Sequence, residues 1–139
     1  MYKKIMVPVD LEHVEAAEKS FDVAADQAAK HKATLYYVAI TTKVPNMAAP
    51  SPEKFNEALE QFAKKQSEKY GLPIEAKGIS SVDVSRELHK QLLKVAEEID
   101  ADLIVMASHV PTVADKLHLV SSHAGHIAGH AKCSVYVVR

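Results

Sequence analysis

Ile5-Met6-Val7-Pro8-Val9-Asp10 and Thr34-Leu35-Tyr36-Tyr37-Val38-Ala39-Ile40 are short apolar runs on either side of a segment with a different period. A strand covered on both faces reads as a nearly continuous apolar run, because neither set of alternate side chains meets water. From Val14 the apolar residues recur at Ala17, Phe21, Ala24 and Ala28, spacings of three and four that place them on one helix face. Strand, helix, strand in that order predicts a parallel pair joined by a crossover helix.

The alternation continues toward the C-terminus. Thr41 to Ser51 holds two prolines and no clear period, which predicts a loop. Ser51 followed by Pro52 marks a helix start, with Phe55, Leu59 and Phe62 on one face up to Tyr70 and Gly71 as the stop. A strand is expected at Ile74 to Ile79. Asp83 then caps a helix with the stripe Val84, Leu88, Leu92, Val95 and Ile99. Asp102 to Ala107 reads as a fourth strand, Ser122 to His130 as a short helix and Ser134 to Val138 as a closing strand. With no repeat or linker, residues 1–139 read as one α/β domain with a mainly parallel sheet.

Composition narrows the function. The 139 residues are 47% hydrophobic, enough for one core. Lys and Arg number 17 against 18 Asp and Glu, a net charge of −1 that gives no electrostatic basis for gripping nucleic acid. No run has the length of a membrane span and the N-terminus has no signal-peptide pattern, so a cytoplasmic protein with no membrane partner is expected. The single cysteine, Cys133, forms no internal disulfide and is expected as a small core residue. Only four glycines occur, Gly71, Gly78, Gly125 and Gly129, and none follows a strand run, where a phosphate-cradling loop needs them.

In an open parallel sheet the ligand crevice lies beyond the carboxyl ends of the strands, where the strand order reverses. That rule nominates Asp10, the segment from Ile40, Ser80-Ser81 and Ala107-Ser108-His109-Val110. With the first strand in mid-sheet between the second and the fourth, Asp10 and Ala107 would flank one crevice.

The start Ile5-Met6-Val7-Pro8-Val9-Asp10, the triplet Ala107-Ser108-His109 and the closing His130-Ala131-Lys132-Cys133-Ser134-Val135-Tyr136-Val137-Val138 resemble the universal stress protein family, over the whole chain. The resemblance implies a Rossmann-like fold of the adenine nucleotide alpha hydrolase type: a single open five-stranded parallel sheet in order 3-2-1-4-5 with helices on both faces. It also implies a non-enzymatic stress-response homodimer paired through Ser134 to Val138, with a crevice for an adenine nucleotide such as ATP, ADP or AMP. The family's ATP motif, glycine, two residues, glycine, nine residues and Gly-Ser or Gly-Thr, falls on Ala107, Val110 and Ser121-Ser122, with ten residues before the last pair. All its glycines are replaced, as in a subgroup of the family with an Ala-Ser-His-x-Pro loop. Val110 matters most, since a β-branched residue disfavours positive φ and shields its own amide.

The base side of the motif is kept. Pro8, Val9 and Asp10 match the adenine-facing segment, and Val38 to Ile40 match the apolar stretch after the second strand. The resemblance then puts Ala107 and Ser108 at the ribose and Ser121, Ser122 and His109 toward phosphates, with Met106 and His123 also counted among the cofactor-binding positions. Two bland readings stay open: Asp10 as a helix cap, and Ser121-Ser122 as an N-cap. So does a second function, a nucleotide-independent dimeric scaffold whose crevice is closed by Val110 and the Ala107 methyl.

Five of the eight histidines, His109, His118, His123, His126 and His130, fall in the last third. His123, His126 and His130 share a helix face, but no Asp, Glu or Cys in that helix completes a metal site, and no metal is expected. His130 is expected instead to bond carbonyls of the last turn. Ser108-His109 lacks a G-x-S-x-G elbow, and the chain has no G-x-x-x-x-G-K-[ST] loop, so hydrolase and P-loop chemistry are not expected. Lys64, Lys65 and Lys69 alternate with Glu60 and Glu68, as on a solvated helix face.

Overall fold

Ile5, Met6 and Val7 have no exposed surface at the middle of strand β1 (Lys4–Pro8). The computed structural model describes residues 1–42, 51–81, 84–108 and 123–139. After β1 come α1 (Glu18–His31), β2 (Thr34–Thr42), α2 (Pro52–Tyr70), β3 (Ile74–Ser81), α3 (Val84–Glu98), β4 (Leu103–Ala107), α4 (His123–His130) and β5 (Ser134–Val138). The strands form one parallel sheet in the order β3-β2-β1-β4-β5, as expected.

Alternate residues of the central strands feed two cores. Ile5, Val7 and Val9 join Leu35, Tyr37, Leu103 and Val105 beneath α1 and α2, which contribute Phe21, Ala24, Ala28, Leu59 and Ala63. Met6, Val38, Ile104 and Met106 face the other way, against Leu92, Val95 and Ala96 of α3 and Ala124 and Ile127 of α4. Each large side chain buried this way contributes about 1.5–3 kcal/mol. In the first core Phe21, Tyr37 and Phe62 form an aromatic triangle with centroids 5.4 to 5.7 Å apart.

Several element ends differ from the sequence expectation. The helix expected from Val14 begins as a 3-10 turn, Val14–Ala17, and becomes α-helical only at Glu18. Neither His13 nor Ala17 offers a side-chain cap, and the Ser20 hydroxyl donates to the Ala17 carbonyl at 2.6 Å. Thr41 and Thr42, read as loop, belong to β2, and Ser80 and Ser81, read as lying beyond β3, belong to it. The reason is mutual pairing, Thr41 with Ser80 and Thr42 with Ser81. Asp102 precedes β4 rather than opening it. Its carboxylate accepts the backbone amides of Lys3 at 2.8 Å and Lys4 at 3.1 Å, tying the entry of β4 to that of β1. Residues 43–50 of the 41–51 loop and the Asp83 cap lie outside the described residues.

α2 starts and stops where its residues require. The Ser51 hydroxyl accepts from the Lys54 amide at 3.3 Å, and Gly71 sits at φ 65°, donating its amide to the Ser67 carbonyl at 2.8 Å. Nothing crowds a Cβ built at Gly71, so only backbone strain opposes a side chain there. Gly71→Ala should therefore lower stability by about 1–2 kcal/mol with the fold unchanged. Urea denaturation checks this, and a cost near zero would show that the left-handed cap is not held in solution.

Candidate functional site

The chain leaves β1 for β2 and β3 on one side, then returns to place β4 and β5 on the other. β1 is thus the switch point, and its carboxyl end is where the helices on the two faces diverge. Pro8 ends β1 opposite Val38. Val9 follows it buried, its amide donating to the Val38 carbonyl at 2.8 Å, so the two chains stay together for one residue beyond the strand. Val38 is fully buried and Ile40, two residues on, is partly so. Across β1, Met106 is buried and Ala107 and Ser108 are partly buried, with the Ser108 amide donating to the Val138 carbonyl at 2.7 Å.

Eight of the nominated positions, Pro8, Val9, Asp10, Val38, Ile40, Met106, Ala107 and Ser108, thus lie at or near the carboxyl ends of β1, β2 and β4. His109, Val110, Ser121 and Ser122 lie outside the described residues. His123 opens α4, and its side chain is likewise outside them.

Asp10 does not cap α1. It makes a turn of its own, with Oδ1 accepting the Glu12 amide at 3.0 Å and its carbonyl accepting the His13 amide at 3.0 Å. Oδ2 meets His13 Nδ1 at 2.9 Å. Sequence reading missed His13, because attention to histidine spacing leads to the last third of the chain. The available signal was a carboxylate and an imidazole three residues apart in a short loop. Ligand atoms of Asp10, Glu12 and His13 lie within 4.8 Å of one another, all on exposed side chains. A second carboxylate and an imidazole therefore stand beside Asp10 at the crevice mouth.

Two cavities among the described residues lie away from this crevice. One of about 300 Å³ is at the amino ends of β4 and β5, lined by Ala101, His130, Lys132 and Cys133 among others. One of about 290 Å³ lies between α2 and β3. Neither has the convergence of strand ends found at β1. Cys133 is partly buried against the second core, as its reading as a small packing residue requires, and burial pushes its thiol up. No helix among the described residues is long and apolar enough to cross a membrane.

The hydrogen bond and then the charge of Asp10 raise the His13 imidazole above its ordinary value. A histidine raised in this way stabilises the fold at pH below its unfolded value and loses that contribution as pH rises through its folded midpoint. Asp10→Asn should therefore bring the His13 midpoint down, and the stability gap between parent and variant should close on the alkaline side. An NMR titration of the His13 ring tests this; an unmoved midpoint would show that the pair does not form in solution.

The profile of the Universal stress protein family matches residues 1–139. Universal stress protein G of Salmonella typhimurium is 26% identical over 148 residues, with both chains covered completely. Among solved structures, a universal stress protein in complex with cAMP superposes with a TM-score of 0.73 at 22% identity, over 99% of this chain and 97% of its own. One from Archaeoglobus fulgidus in complex with dAMP gives 0.67 at 19%, over 99% and 98%. A match over every residue establishes that the chain belongs to the universal stress protein family.

Proposed function

We propose that the protein is a non-enzymatic stress-response homodimer whose crevice holds an adenine nucleotide by its base and ribose. The observation that supports this most directly is the meeting of Val9-Asp10, Val38-Ile40 and Met106-Ser108 at the switch point, in a fold whose relatives were solved with cAMP and dAMP. Pro8 and Ile40, both only partly buried at the strand ends, leave apolar surface for a flat base, and the exposed Asp10 carboxylate is an acceptor for an exocyclic amine or a ribose hydroxyl. The phosphate half differs from the family's glycine motif at Ala107, Val110 and Ser121. Binding is accordingly carried by the nucleoside, and AMP and ATP bind with similar strength. In this reading the phosphates meet Ser121, Ser122, His109 and His123.

Protein purified under native conditions and then denatured should release adenine nucleotide, and the stripped protein should bind AMP in a titration. Asp10→Ala should weaken that binding by about tenfold or more, the value of one hydrogen bond to a charged group. No binding at millimolar AMP or ATP overturns the reading and favours the second one, a nucleotide-independent scaffold, which the glycine replacements support.

The dimer in this proposal forms through β5, the sheet edge beside β4. Its residues alternate, with Val135 and Val137 packed on the second core and Tyr136 turned outward and 45% exposed. Tyr136→Asp should therefore convert dimer to monomer without unfolding the domain, whereas a charge at Val137 would injure the core. Sedimentation velocity reads the difference, and an unchanged profile for Tyr136→Asp removes β5 as the interface.

A further inference from the structure

Three imidazoles from two helices lie face to face at the α3–α4 contact. His89 of α3 stacks on His126 of α4 with centroids 4.1 Å apart and 30° between planes. His126 in turn stacks on His130 at 4.2 Å and 16°. His130 Nδ1 is 2.8 Å from the His126 carbonyl, which can only accept, so that nitrogen carries the proton. The helical spacing of His126 and His130 accounts for half of the stack. His89 comes from a helix more than thirty positions earlier and joins it through tertiary packing.

α4 depends on such contacts. It has only eight residues, and an isolated helix shorter than roughly 12 residues is marginal in water. Among its contacts with the described residues are Ala124 and Ile127, buried with Leu92, Val95 and Ala96 of α3 and Ile104 and Met106 of β4, together with the histidine stack. The charged groups acting on His126 are His89 and Lys90 from α3 and His130 from α4, all of them cationic when charged. His123, one turn earlier on α4, lies outside the described side chains.

We propose that His89, His126 and His130 form an acid-sensitive latch, which holds α4 on α3 while the rings are neutral and loosens it when they protonate. Stacked neutral imidazoles attract, whereas imidazolium rings at this separation repel, and the Lys90 ammonium adds to the repulsion. Burial first, then the charges of His89, His130 and Lys90, lower the His126 value below that of an ordinary histidine. The sign follows: the stack's contribution is complete above the unfolded histidine value, about 6.5, and is lost as pH falls through it toward the lower folded midpoint. Loosening α4 uncovers Ala124, Ile127 and the faces of Ile104 and Met106 beneath them, so acid would create an apolar surface that neutral pH conceals.

Amide exchange on the wild-type protein at about pH 7.5 and about pH 5.5, with an NMR titration of the histidine rings, tests the latch. Protection factors of residues 124–130 should fall at the lower pH relative to those of α1, and His126 should titrate below a histidine in an unstructured peptide. His126→Phe keeps a flat ring without the proton, and in that variant the relative protection of α4 should lose its pH dependence. The proposal is overturned if His126 titrates at or above the ordinary value, or if wild-type α4 keeps the same protection relative to α1 at both pH values. These measurements on the wild-type protein decide the matter even if His126→Phe does not fold, and they require no nucleotide.

Discussion

β1 has water on neither face, and a single layer of helices cannot satisfy a strand of that kind. Ile5 and Val7 demand apolar cover on one side and Met6 demands it on the other. α1 and α2 cover the first side, α3 and α4 the second, and β2 and β4 satisfy the backbone groups along its two edges. The strand order 3-2-1-4-5 places the two strands with the most completely buried cores, β1 and β4, side by side in the sheet interior. Removing a methyl from β1 would leave a cavity that neighbours on both sides cannot easily close.

The same constraint creates the crevice. Because the chain builds outward from β1 in two directions, α1, which follows β1, and α4, the next described element after β4, pack on opposite faces of the sheet, and the crevice lies between the two strand ends. Polar groups then stand where the apolar run stops: Asp10 emerges directly after buried Val9, and Ser108 directly after Ala107. The turn that orders Asp10 is local and makes no call on the core. Its carboxylate is thus exposed and already engaged with His13, and a ligand amine must share it with the imidazole or displace it.

Most of the fold was legible in the sequence because two-sided burial writes itself as continuous apolar runs, and because Ser51-Pro52 and Gly71 carry their own start and stop chemistry. What escaped was set by partners distant in sequence. Thr41, Thr42, Ser80 and Ser81 extend two strands only because they pair with each other, and hydroxyl residues beside a proline-containing stretch give no sign of this. Asp102 has strand-like neighbours, yet its carboxylate is used by amides at the opposite end of the chain. Within the site, Asp10 could be named from its place after a strand, whereas its engagement with His13 depends on the path of a short loop. The spacing of His126 and His130 was visible, and the ring that completes their stack comes from another helix.

The carboxylate of Asp102 bonds an amide 99 residues earlier, and β4 closes the second edge of β1 in the same region. During synthesis this central strand therefore leaves the ribosome among the first and finds its second edge partner among the last. At roughly 5–20 residues per second that interval is about 5–20 s, during which β1 has at most the hairpin-free partner β2 beside it and an open edge on the other side. A nascent chain in that condition presents unpaired backbone and bare Ile5, Met6 and Val7 to its surroundings. The architecture that encloses β1 in the finished domain thus leaves that strand half-paired while the chain is still being made.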